Sequence, residues 1–182
     1  TLRIYALKPT ADSANIDNHI VAGAERSISI FHSIEGGVYD DINKTIEQTR
    51  YAASSEELEY MRSGSTDDDK IARFDEFWKN LDPTPYTERN EAFDTYFMRV
   101  KYANEKYKNS SAEGWKSDMG SVLIVYGVPS QTERTTPDYR GRVYERWTYG
   151  NGKTFVFVDN NGFGDFRLYQ PYSVSDKFIF EH

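Results

Sequence analysis

The chain has 182 residues, a formal net charge of −7, a sequence pI near 5.0 and no cysteine. That acidic balance leaves no cationic footprint for a phosphate backbone and argues against nucleic acid as a partner. Without thiols there is no disulfide framework, thiolate metal site or cysteine nucleophile, and the longest apolar run, Val122-Leu123-Ile124-Val125, is far short of the roughly 20 residues that cross a bilayer.

At this length one domain with a small appendage is expected, burying about 70% of its extended surface. Its rings outnumber its leucines: 14 Tyr, 11 Phe and 3 Trp stand against six Leu. A ring-built core favours strands and large cross-strand contacts over a leucine-packed bundle. A chain that opens at Thr1, without a Met or a signal peptide, is expected to be a processed form or a piece of a longer protein.

Residues 1–35 read as extended chain. Leu2, Ile4 and Ala6 alternate with Arg3, Tyr5 and Leu7, and Ile28, Ile30 and His32 alternate with Ser27, Ser29 and Phe31. The polar stretch 9–18 suits a loop, and Gly36-Gly37 breaks the pattern. Two strands are marginal alone, so 1–37 is expected to be a strand remnant or linker from a preceding β-rich domain.

Over 38–109 the period turns helical. Asp40 or Asp41 can cap a helix carrying Ile42, Ile46 and Ala53, although Thr45, Thr49 and Tyr51 leave a strand open. Ser54 and Glu57 have capping-box spacing and open a helix through Leu58 and Met61 that ends at Gly64. Ile71, Phe74 and Trp78 mark an amphipathic face on a helix from Asp67 to Asn80, and Pro83 and Pro85 stop it. Thr87 is then expected to cap the longest helix, with Phe93, Tyr96, Phe97, Val100, Ala103 and Tyr107 along one side.

Residues 110–182 read as an antiparallel meander with strands at 121–126, 131–135, 142–149, 153–159 and 165–170. Gly127-Val128-Pro129-Ser130, Pro137-Asp138, Gly150-Asn151-Gly152 and Asn160-Asn161-Gly162 are the turns between them, the last by its Asn-Gly hairpin signal. The fold class expected is α+β: a helical half packed on an antiparallel meander, 38–182 forming one domain, with extra N-terminal strands.

Chemistry-bearing residues are scattered. His19, His32 and His182 form no ligand motif, and no G-x-S-x-G elbow or phosphate loop is present. Asp159, Asn161 and Asp165 could offer hard oxygens to Ca²⁺, though a turn explains the same residues. Asp118, Glu133, Glu145, Asp159 and Asp165 could supply paired carboxylates across a glycosidic bond; a solvated charged face, with Arg134, Arg142, Arg146 and Arg167 pairing the acids, is the plainer reading. Tyr126, Tyr144, Trp147, Tyr149, Tyr169 and Tyr172 could form a stacking platform, or simply core.

Several segments in order carry a resemblance. Gly114-Trp115-Lys116-Ser117-Asp118-Met119-Gly120 followed by Val122-Leu123-Ile124-Val125-Tyr126-Gly127-Val128-Pro129 is similar to the GWxTD domain of bacterial proteins. So are Phe77-Trp78, Asp82-Pro83-Thr84-Pro85, Arg99-Val100-Lys101-Tyr102-Ala103-Asn104, Phe155-Val156-Phe157-Val158-Asp159 and Gly162-Phe163-Gly164-Asp165. The likeness spans roughly 40–172. Ser117 stands where the family has Thr, Met119 where a basic residue is common, and Ser130 where an acid often follows the Pro. The resemblance implies the C-terminal part of a larger exported protein, in the periplasm or cell envelope, and carries over no catalytic residue.

The leading expectation is therefore a non-catalytic interaction or structural module, its partner another protein or neighbouring domain, with no cofactor implied. Trp115, Asp118, Tyr126, Glu145 and Trp147 are its motif or binding candidates: Trp115 as a buried anchor at a helix-to-sheet junction, and Asp118 bonding backbone N–H groups at the entry to the first strand. Trp78 is expected to cover the sheet. The alternatives are a carbohydrate-active hydrolase using Asp118 and Glu145, or a carbohydrate-binding module with calcium at 159–165.

Overall fold

A computed structural model describes residues 38–109, 112–169 and 176–180 in full, and 2–7 and 20–26 as backbone. The expectations for 9–18, 27–32, Gly36-Gly37, His19, His32, Tyr172 and His182 lie outside the described residues. Residues 1–33 and 34–182 form two compact units. In the first, β1 (Leu2–Leu7) pairs antiparallel with β2 (Ile20–Arg26).

The second unit begins with helices whose ends are written in the sequence. Asp41 caps α1 (Ile42–Gln48) by accepting from the Lys44 N–H at 3.0 Å. Helix, not strand, wins here because Thr45 and Thr49 turn their hydroxyls onto the carbonyls of Val38 and Thr45 and bury without an unpaired polar group. Ser54 and Glu57 close a capping box at the start of α2 (Ser55–Arg62). Thr66 caps α3 (Asp67–Asn80), whose first turn holds Asp67, Asp68 and Asp69, where the helix dipole favours negative charge. The cap of α4 (Glu91–Lys106) is Asn90, not the expected Thr87. Asn90 Oδ1 accepts from Phe93 N–H while its Nδ2 donates to the Trp78 carbonyl at 2.6 Å; Thr87 instead closes the preceding loop onto Thr84.

Trp78 does not cover the sheet. It lies between α3 and α4, its ring 5.1–6.4 Å from those of Phe77, Phe93, Tyr96, Phe97 and Phe74. Such pairs each add about 0.5–1.5 kcal/mol beyond area burial. Phe74 and Tyr96 are fully buried in the same cluster.

The largest correction concerns 121–126. These residues form not a strand but α5 (Asp118–Tyr126). Ser117 Oγ accepts from the Gly120 N–H at 3.0 Å and starts the helix; Gly127, at φ 78°, ends it. Val122, Leu123, Ile124 and Val125 are all buried. A short apolar run fits a core helix as well as a core strand, and a helix apolar on every side is a buried one.

The sheet therefore has four strands in the order β3 (Gln131–Arg134), β4 (Val143–Thr148), β5 (Thr154–Asp159), β6 (Phe166–Leu168), all antiparallel. β6 is shorter than the expected 165–170. Val143, Glu145 and Trp147 share the inner face with Phe155, Phe157 and Asp159, and α5 and the end of α4 cover it: Tyr126 meets Phe155 at 4.8 Å, and Tyr107 meets Trp147 at 5.7 Å. Among the described residues, five α-helices and this antiparallel sheet make the unit α+β.

Candidate functional site

The motif residues join α4 to α5, so Trp115 anchors a helix-to-helix junction, not the expected helix-to-sheet one. Gly114–Lys116 form a single 3-10 turn. A Cβ on Gly114 would stand 1.9 Å from the Ala103 carbonyl oxygen, and one on Gly120 1.9 Å from the Gly114 oxygen. Both close approaches require glycine. Ser117 Oγ donates to the Gly114 carbonyl at 2.7 Å while capping α5. Trp115 is fully buried: its backbone N–H donates to Asn104 Oδ1 at 3.1 Å, its indole N–H to Glu113 at 3.1 Å, and its carbonyl accepts the Tyr51 hydroxyl at 2.9 Å.

Glu113 also holds Lys44, and this bond, the largest cause, lowers its pKa despite partial desolvation. Asp118 does bond a backbone N–H, but of a different strand: it accepts from Leu168 of β6 at 2.7 Å, from the first turn of α5.

Glu145 faces inward, not onto a charged outer face. Its Oε1 accepts from Trp147 Nε1 at 2.8 Å, and Arg134 lies opposite it in the β3–β4 register. Arg142 pairs with Asp138 at 2.8 Å. Arg146 pairs with Glu133 and Arg167 with Asp165. Glu145 and Asp165 line one cleft of about 190 Å³ together with Lys106, Lys108 and Arg134. Asp118 is not part of that lining, so the expected pair of Asp118 and Glu145 is not brought together there. Burial, then the charges of Tyr102 and Glu145, push the nearby Tyr107 hydroxyl up to about 12.

Asp159 is 2% exposed and gathers the backbone N–H groups of Asn161, Gly162 and Gly164 at 3.1, 3.0 and 2.8 Å. Burial opposes its ionisation, but these bonds, with one from Phe163, outweigh it and lower the pKa. Residues 160–165 are thus a loop closed by a carboxylate, not a two-residue Asn-Gly hairpin. Asp165 turns instead to Asn109 Nδ2 at 2.8 Å and to Arg167. The Asp159 and Asp165 carboxylates thus go to different partners, and no group of three or more His, Asp or Glu able to hold a metal occurs among the described residues.

The candidate aromatics divide between places. Trp147 and Tyr149 are buried; Tyr144 meets Tyr169 edge-on at 5.5 Å; Tyr126 lies at the far end of α5 from Asp118. They make no single platform. Tyr126 enters a second cleft, of about 590 Å³, with Thr95, Arg99, Tyr149, Lys153 and Asp176. Desolvation and the bond to Asp176 raise its pKa. Arg99 reaches across to the Ile124 and Val125 carbonyls at the end of α5, where helix carbonyls lack intrahelical donors. Arg99, Lys153 and Phe178 are not among the sequence candidates; the apolar run Phe178-Ile179-Phe180 is the signal that could have marked a packed segment there.

Among the described residues no helix is long and apolar enough to cross a membrane. No curated protein and no solved structure matches the chain. The sequence model of the GWxTD domain family matches residues 35–172, which include the α4–α5 junction, the whole lining of the smaller cleft and the sheet, and the chain belongs to that family.

Proposed function

We propose that the chain is a non-catalytic interaction or structural module of a larger bacterial envelope or secreted protein, acting outside the cytoplasm. The observation that carries this reading is the use of the motif itself. Gly114 packs its backbone against Ala103 and accepts from Ser117, while Trp115, Ser117 and Asp118 direct polar groups to Asn104, Tyr51, Gly120 and Leu168 of the same chain. Residues so engaged hold a scaffold in shape and present nothing to a substrate. Other proteins or neighbouring domains are the partners this suits.

One observation favours a second reading, a carbohydrate-active hydrolase. Glu145 and Asp165 share the smaller cleft, and glycosidases work with two carboxylates. A general acid needs an apolar pocket or a close like charge to stay protonated; here Lys106, Lys108 and Arg134 line the cleft instead. Screening the purified protein against a glycan panel decides between the two. No turnover is expected. Turnover abolished by Glu145→Gln or Asp165→Asn, with an unchanged circular-dichroism spectrum, would overturn the module reading. Fractionation of the native cells tests the location; recovery in the cytoplasm would contradict it.

A further inference from the structure

Residues 176–180 lie beyond the family match, yet the groups that grip them lie within it. Phe178 is the anchor: 6% exposed, its ring edge-on to Tyr96 at 5.1 Å and under the Arg99 guanidinium at 5.3 Å. Its backbone N–H donates to the Tyr51 carbonyl at 2.7 Å, and Lys177 Nζ donates to the Arg50 carbonyl at 2.8 Å. Two residues before the anchor, Asp176 takes the Lys153 ammonium and, at 2.7 Å, the Tyr126 hydroxyl. Ile179 is 72% exposed over the 590 Å³ cleft.

An aromatic anchor, a main-chain bond and a charge that sets register are the means by which folded domains hold extended peptides. We propose that this groove is a peptide-docking site for an acidic residue two positions ahead of a phenylalanine, and that its occupant in trans is segment 176–180 of a second copy of the chain. That segment satisfies every contact just described. Because each copy carries both groove and segment, the exchange is reciprocal and closes as a two-fold pair without any new surface. The segment seated in cis is then a built-in competitor. This deepens the module reading and rests on it, but its readout is peptide affinity, whereas failure of the module reading appears as glycan turnover.

The test uses a fluorescent peptide of residues 173–182 and the full chain. Phe178→Ala removes the anchor of the cis segment, so the variant should bind the peptide at least about tenfold tighter than wild type. Asp176→Ala, at an exposed position, loosens the segment without touching the core and should fall between the two; it decides the question if Phe178→Ala does not fold. A peptide bearing Phe178→Ala should lose at least about tenfold in affinity. In sedimentation velocity the wild type should dimerise with concentration, and Phe178→Ala should not. Folded variants that ignore the peptide would overturn the groove; peptide binding with no dimer at any concentration would overturn the second copy as its occupant.

Discussion

The backbone N–H of Leu168 donates to the Asp118 carboxylate at 2.7 Å, across 50 residues of sequence, and ties the first turn of α5 to the last strand of the sheet. Removing the acceptor leaves a half-buried donor unpaired, which costs about 1–3 kcal/mol. Asp118→Ala should lose that much in urea unfolding, and Asp118→Asn, which keeps an oxygen acceptor, distinctly less. Equal losses in both would show that the charge, not the hydrogen bond, is what the junction needs.

Gly114→Ala places a methyl 1.9 Å from the Ala103 carbonyl oxygen, where backbone meets backbone and no side chain can swing aside. Overpacking of this kind costs about 1–3 kcal/mol and occasionally more. Gly141→Ala is the control: its φ is 76° but nothing lies within 4 Å of the added carbon, so only the left-handed backbone cost of about 1–2 kcal/mol remains. Thermal melts of the two variants should rank Gly114→Ala as the more damaging.

Trp78 and Trp115 are both buried, but differ at the indole nitrogen. Trp115 Nε1 donates to Glu113, whereas Trp78 Nε1 has no hydrogen-bond partner among the described residues. Truncation of either to Ala should cost about 3–5 kcal/mol. Replacement by Phe separates them: Trp115→Phe loses a hydrogen bond and Trp78→Phe loses none, so the latter should be the milder in chemical denaturation. Near-wild-type stability of both alanine variants would contradict the α3–α4 and α4–α5 packing.

Asp159 makes the fold pH-sensitive in a defined direction. Its folded pKa lies below the unfolded value of about 3.9, so its contribution is complete above that value and is lost as acid takes the pH down through the folded one. Asp159→Asn should destabilise by about 1–3 kcal/mol at neutral pH, with the gap to wild type closing below about pH 4. Because the carboxylate is already surrounded by backbone N–H groups, Ca²⁺ should leave the melting temperature unchanged. Saturation of a real site at about 100 times its Kd would add about 2.7 kcal/mol, and a rise that Asp159→Asn removes would reinstate the calcium reading.

The helical half is legible in the sequence because its signals are local. Asp41, the Ser54–Glu57 pair and the spacing of Phe74 and Trp78 act within one or two turns, and so do the alternation and turns that mark β4 and β5. Membership of the family is legible for a similar reason, since motif order survives without any knowledge of contacts. Tertiary structure alone decided that Val122-Leu123-Ile124-Val125 is helical, that Asp118 reaches Leu168, that Glu145 shares a cleft with Asp165, and that Phe178 fills a groove walled by Tyr96 and Arg99. A fully apolar run has no polar face to reveal its period, and contacts across 20 to more than 80 residues depend on which faces pack together. That choice is made by burial of the whole core, not by any neighbour along the chain.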